Sequence, residues 1–271
     1  MHKVRRNVTG ALLLAGAITL FAGCSEQTAA TSSETPKTPP TSSASKSSGY
    51  SSEPAASKNP AKNETVNANN KAVQVVANPD NIAVLVNKQW MLPDGYKPSD
   101  LVEPNVPFIF KEKLEKRLMR EEAAQALEKL FAGAKKDGIH LSGVSGYRSY
   151  KTQTALFNRY IKTHGEEAAR KFSAAPGHSE HETGLAIDVS GSTGKCAAED
   201  CFANTPEAKW LAKHAPEYGF IIRYPKGKEA ITGYKYEPWH IRYVGINIAK
   251  EIASKNITLE EYVQHMILVS K

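Results

Sequence analysis

The stretch Ser173-Ala-Ala-Pro-Gly-His-Ser-Glu-His-Glu-Thr-Gly-Leu-Ala-Ile-Asp188 constrains the chain more than any other. Pro176 and Gly177 force a loop. Residues 184–189 then read as a strand, with Leu185, Ile187 and Val189 on one side and Ala186 and Asp188 on the other. A carboxylate in so apolar a strand needs a partner, because an unpaired buried charge is strongly unfavourable. A metal ion would serve. Residues 239–244 read as a later strand in which His240 and Arg242 share one face and Trp239, Ile241 and Tyr243 the other. If the two strands are neighbours, Asp188 and His240 project to the same side, and His181 closes over them from the loop.

The remaining elements surround this pair. Residues 112–136 read as a helix, with Met119, Ala123, Leu127, Leu130 and Ala134 forming one apolar stripe and Gly138 ending it. A strand is expected over 139–144, running into Ser145-Gly-Tyr-Arg-Ser-Tyr150. Helices are expected over 152–162 and 166–172. Thr205-Pro206 is an N-cap followed by an N1 proline and opens a helix through His214. Residues 219–224 form another strand, and Thr258 with Glu261 is a capping box that opens the last helix. The segment 85–101, broken by Pro93, Gly95 and Pro98, reads as an irregular arm packed through Trp90, Met91, Leu92 and Tyr96. Interleaved helices and short, turn-linked strands predict an α+β domain with a small antiparallel sheet flanked by helices.

The N-terminal segment points to export. Lys3, Arg5 and Arg6 precede the apolar run 11–22, which is too short to span a bilayer as a finished helix. Gly23-Cys24 follows and resembles the lipobox of a bacterial lipoprotein, so Cys24 is expected to carry lipid and anchor the chain to the membrane. Residues 1–23 are then the signal peptide, 24–72 a tether and 73–271 the folded domain. Ser, Thr, Pro, Ala, Lys and Asn dominate the tether, and no Leu, Ile, Val or Phe occurs between Ser25 and Thr65, so it cannot bury enough apolar surface to fold. The signal carries three basic and no acidic side chains, and its removal lowers the formal charge from +7 to +4. A mildly basic protein suits an anionic cell wall, and export argues against nucleic acid as a partner. Outside the cytosol Cys196 and Cys201 are expected to form a disulfide pinning a surface loop; the rival reading, half a metal site, lacks a second cysteine pair.

Two imidazoles, an aspartate and a spare glutamate match the inventory of a catalytic zinc site. The expected ligands of one Zn2+ are His181, Asp188 and His240, with His178 close enough to stand as an alternative. Glu237, held extended by Pro238, is the expected general base beside an activated water. Arg148 lies where a strand ends, and its guanidinium can bind a free C-terminal carboxylate through a bidentate fork. Ser179 and Gln153 are expected to contact the same substrate.

The pattern Ser-x-His-x-x-Gly-x-Ala-x-Asp (Ser179–Asp188) with Glu-x-x-His (Glu237–His240) resembles the zinc D-alanyl-D-alanine carboxypeptidases of the vancomycin-resistance type. The similarity is greatest to the VanY-like branch with its L,D-carboxypeptidase relatives, and covers roughly residues 82–250. It implies zinc on His181, Asp188 and His240, Glu237 as base, Arg148 and Ser179 at the substrate, and a fold shared with hedgehog-like peptidases. The implied reaction is removal of the C-terminal D-alanine from peptidoglycan stem peptides by a monomeric, extracytoplasmic enzyme. Two alternatives stand beside it. One is the same chemistry on tetrapeptide stems; the other is a non-catalytic wall-binding lipoprotein, which would not need Glu237. The insert between Cys196 and Cys201 departs from the family pattern.

Overall fold

The computed structural model describes residues 73–269. The expected signal peptide, Cys24 and the whole of the tether lie outside the described residues. The centre is a four-stranded antiparallel sheet made of β1 (Leu141–Ser145), β2 (Ala186–Gly191), β3 (Phe220–Ile222) and β4 (His240–Tyr243), in the order β1-β2-β4-β3. The helices of more than one turn are α1 (Glu121–Lys136), α2 (Tyr150–His164), α3 (Glu166–Phe172), α4 (Pro206–His214), α5 (Ile246–Lys255) and α6 (Leu259–Val269). This is the α+β architecture that the interleaved pattern predicts.

Every residue of β2 is buried. Leu185, Ile187 and Val189 join the main core with Ile241 of β4 and the α1 stripe of Ala123, Leu127, Leu130 and Ala134. A smaller cluster of Ile221, Val244, Ala249, Ile252, Leu259 and Tyr262 lies under α5 and α6. Each fully buried aliphatic side chain contributes roughly 1.5–3 kcal/mol relative to exposure.

The caps expected at Thr205 and Thr258 form, and Ser149 adds another. Ser149 Oγ accepts from Thr152 N at 3.3 Å at the start of α2. Thr205 Oγ1 accepts from Ala208 N at 3.2 Å at the start of α4. At α6, Glu261 N donates to Thr258 Oγ1 at 3.2 Å, and Thr258 N donates to Glu261 Oε2 at 2.7 Å. The expected helix over 112–136 is shorter. Residues 115–117 form a 3-10 turn, and Met119–Arg120 is extended and pairs with Leu101–Val102, so α1 begins at Glu121. Met119 is still fully buried, but from a strand: its apolar character was legible and its backbone state was decided by a pairing partner far back in the chain. α5 was not anticipated.

The arm packs as expected. Leu92 is buried, Trp90 and Tyr96 pack on the core, and Leu92 N donates to Gly177 O at 2.8 Å. The arm therefore rests on the loop that carries His181.

Candidate metal and substrate site

Asp188 of β2 and His240 of β4 are direct cross-strand partners. Side chains of such a pair stand about 5 Å apart at Cβ on the same face, and here Asp188 Oδ1 is 2.9 Å from His240 Nδ1. His181 reaches the same carboxylate from the other side, with Nε2 3.4 Å from Asp188 Oδ2. The two imidazoles meet edge to face, ring centres 4.9 Å apart. One ligand atom from each of the three residues falls within a common 4.8 Å. His178 is outside this group; its Nδ1 lies 2.7 Å from Asn87 O.

The chain is shaped to deliver His181. It sits in the 3-10 turn Glu180–Thr183, which Gly184 ends at φ +67°, a left-handed conformation that glycine adopts without strain. A Cβ there would stand 2.9 Å from Leu101 Cδ2. His181 Nδ1 lies 2.8 Å from Gly146 O, and Arg148 N donates to His181 O at 3.1 Å. Gly146 is itself required, since a Cβ would meet Leu118 O at 2.6 Å. The carbonyl of Gly146 fixes the proton of His181 on Nδ1 and leaves Nε2 free as a ligand, as metal-binding histidines require. A register shift between Gly143 and Ser145 redirects the end of β1 toward this turn.

The charges of the three residues depend on one another. Burial pushes the imidazole of His181 down, keeping it neutral. Burial would push Asp188 up, but His181 and His240 hold it well below the usual carboxylate range. Burial opposes protonation of His240 as well, yet Asp188 and Glu180 raise it to about 9. Two imidazoles converging on an ionised carboxylate suit a divalent cation with borderline-soft preferences such as zinc, which would take the place of the extra proton on His240.

A cleft of about 310 Å³ opens beside the three residues and is lined also by Arg148, Ser179, Tyr224, Glu237 and Trp239. Glu237 is half-buried and its backbone N–H donates to Tyr224 O at 3.0 Å. Burial pushes its carboxyl up to about 7, with His240 opposing and Asp188 adding to the shift. Arg148 is half-buried, donating to Gln153 Oε1 at 2.9 Å and to Ser145 Oγ at 3.3 Å. Those acceptors are neutral, and among the described residues no carboxylate lies within salt-bridge distance of its guanidinium. Two of its five N–H donors are used.

Gln153 has a different place from the one expected. It is 1% exposed, accepts from Arg148 and donates to Ala174 O at 2.6 Å, so it orients the guanidinium and does not line the cleft. Cys196 and Cys201 are bonded, S–S 2.07 Å. Their loop contributes Ala198 to the cleft wall, and Lys235, another lining residue, holds Asp200 at 2.6 Å.

Glu180 was missed by sequence reasoning. It is fully buried; Oε1 accepts from Arg223 Nε and Arg242 Nη1, each at 2.6 Å. Arg223 also donates to both oxygens of Glu260, at 2.7 and 2.9 Å, so two guanidiniums and two carboxylates balance. The signal was Arg242, a cation on an apolar strand that demanded a counter-ion as firmly as Asp188 did.

A sequence profile of the VanY family, described as D-alanyl-D-alanine carboxypeptidase, matches residues 116–246. The putative carboxypeptidase YodJ of Bacillus subtilis (strain 168) is 51% identical over 190 residues, covering 70% of this chain and 70% of its own. The solved structure of the LdcB LD-carboxypeptidase superposes with a TM-score of 0.69 at 50% identity, over 71% of this chain and 90% of its own. The Zn(II) complex of the D,D-pentapeptidase VanY from a VanB-type resistance cassette gives 0.54 at 30% identity, over 67% and 98%. Sequence, fold and a ligand set suited to zinc converge: the chain belongs to the VanY family of D-alanyl-D-alanine carboxypeptidases and is a zinc metallo-carboxypeptidase.

Proposed function

We propose that the protein removes a C-terminal D-alanine from peptidoglycan stem peptides, with one zinc ion on His181, Asp188 and His240 and with Glu237 as general base. The observation that carries this reading is the placement of Glu237 and Arg148 in one cleft with the three convergent ligands. Bound zinc supplies a Lewis acid that polarises the scissile carbonyl and makes water a competent nucleophile. The protein residues do the rest. Arg148, oriented by Gln153, pairs with the free carboxylate of the substrate and sets the register of the peptide. Glu237, on the opposite strand connection, takes a proton from the attacking water and returns it to the leaving amine. Ser179, at the cleft wall, offers a hydroxyl to the terminal residue.

Two stems fit this chemistry: a pentapeptide ending in D-Ala-D-Ala, and a tetrapeptide in which D-alanine follows an L-centre of a diamino acid. The 50% identity and 0.69 TM-score with the LdcB LD-carboxypeptidase favour the tetrapeptide. Incubation of the purified protein with both synthetic peptides, read by mass spectrometry, decides between them. Release of alanine from the tetrapeptide alone supports the L,D reading; release from the pentapeptide alone refutes it; release from neither, with zinc bound, refutes both stems as substrates.

Membership in a family of cell-wall peptidases supports action outside the cytoplasmic membrane, and the Cys196–Cys201 disulfide suits an oxidising compartment. No helix among the described residues is long and apolar enough to cross a membrane. A lipid on Cys24, with residues 24–72 as tether, is supported by the Leu-Phe-Ala-Gly-Cys sequence that closes the apolar run.

A further inference from the structure

The imidazole of His240 sits between two carboxylates. Nδ1 faces Asp188 Oδ1 at 2.9 Å, while Nε2 faces Glu180 Oε2 at 3.5 Å, a long contact. Neither Nε2 of His240 nor Oε2 of Glu180 has a hydrogen-bond partner, although both are buried. Buried polar atoms of this kind are rare and demand an explanation, and these two face each other. The other oxygen of Glu180 is clamped by Arg223 and Arg242, which fixes both the rotamer of Glu180 and its ionised state. His181 and Tyr224 flank the ring of His240, with centres at 4.9 and 5.0 Å, so the imidazole has little freedom to turn.

We propose that Glu180 is a positioning residue that holds the His240 proton on Nε2 and thereby presents Nδ1 to zinc. An ionised carboxylate can only accept a hydrogen bond. Facing it, Nε2 keeps its proton, so a metal ion can displace only the proton of Nδ1, on the side of Asp188. Ligating histidines generally donate their second N–H to a carboxylate or carbonyl, which selects the tautomer and orients the ring. His181 receives this support from the Gly146 carbonyl; Glu180 gives it to His240. The arginine pair has a defined part in this arrangement. It neutralises a carboxylate that would otherwise be buried beside the metal, and it confines the free oxygen to the one direction where His240 lies. The role rests on the ligand assignment proposed above.

The test is a long-range 1H–15N correlation spectrum of the zinc-loaded protein labelled at histidine nitrogens, together with zinc affinity by competition with a chelating dye. The wild-type spectrum should show His240 metallated at Nδ1 and protonated at Nε2. In Glu180→Gln the amide oxygen stays with the two guanidiniums, because the alternative orientation sets N–H against N–H. The amide nitrogen then donates toward His240 Nε2, drives the proton to Nδ1 and blocks the ligand atom. Zinc should bind about 10- to 100-fold more weakly, the usual cost of losing such a partner. Metallation of His240 at Nε2, or unchanged zinc affinity in a folded Glu180→Gln protein, overturns the proposal while leaving the three-ligand site intact. A His240 ring with no metal contact at all overturns the ligand assignment, and the role of Glu180 with it. Should Glu180→Gln fail to fold, the wild-type spectrum decides alone.

Discussion

Replacing Arg148 by alanine should separate recognition of a free C-terminus from hydrolysis itself. The guanidinium lines the cleft, is half-buried, and spends two of its donors on neutral oxygens of Gln153 and Ser145. Its charge therefore remains available to a substrate carboxylate. Deleting one member of a fully buried charge pair costs roughly 3–5 kcal/mol. Arg148 retains some solvent contact, so the lower end applies, about 3 kcal/mol, on the order of 100-fold in kcat/KM. Four rates suffice: wild type and Arg148→Ala, each against a peptide acid and its C-terminal amide. Wild type should cleave the acid about 100-fold faster than the amide. The variant should be slow on both and discriminate little between them. Arg148→Lys should recover only part of the preference, since an ammonium supplies a point charge without the fork. Zinc content should stay constant throughout, because Arg148 contacts the ligand turn through its backbone N–H, which alanine retains. Equal cleavage of acid and amide by wild type would refute the reasoning, make Arg148 structural, and direct attention to endopeptidase activity on cross-links.

Glu237→Gln should keep zinc and substrate binding yet lose on the order of 10²–10⁴ in turnover, the range expected of a general base; zinc analysis beside steady-state kinetics checks both halves, and loss of zinc would instead make Glu237 a ligand. Chelators should abolish activity and added zinc restore it, while penicillin should leave the protein unlabelled, because water attacks directly and no acyl-enzyme forms; intact mass after β-lactam treatment reads this out. Replacing both Cys196 and Cys201 by serine should raise KM several-fold with kcat and zinc content nearly unchanged. The loop holds Cys196 and Ala198 at φ +61° and +55° and sets Ala198 at the cleft wall, a shape that non-glycine residues keep only when constrained; an unchanged KM would show that the loop does not touch substrate.

Much of the site was legible because its determinants are local. Two-residue periodicity placed Asp188 opposite the apolar face of its strand, and the same parity paired His240 with Arg242. The caps at Thr205 and Thr258 are hydrogen bonds over three residues, so their sequence signatures suffice. The cysteine pair needed only its short separation. Other features depend on partners remote in sequence. Met119 lies in a strand because Val102 pairs with it, although its spacing continues the apolar stripe of α1. Gln153 reads as a substrate contact one helical turn on from Arg148, whereas the folded chain buries it between Arg148 and Ala174 O. Glu180 reads as a loop carboxylate between Ser179 and His181, since its arginine partners lie 43 and 62 residues further on. Residue types and period thus determined which groups had to find partners, because neither a buried charge nor an apolar face can be left unmatched. Which groups met was decided only by strand register and chain crossing, and the opposition of Asp188 to His240 is the register on which the proposed metal centre depends.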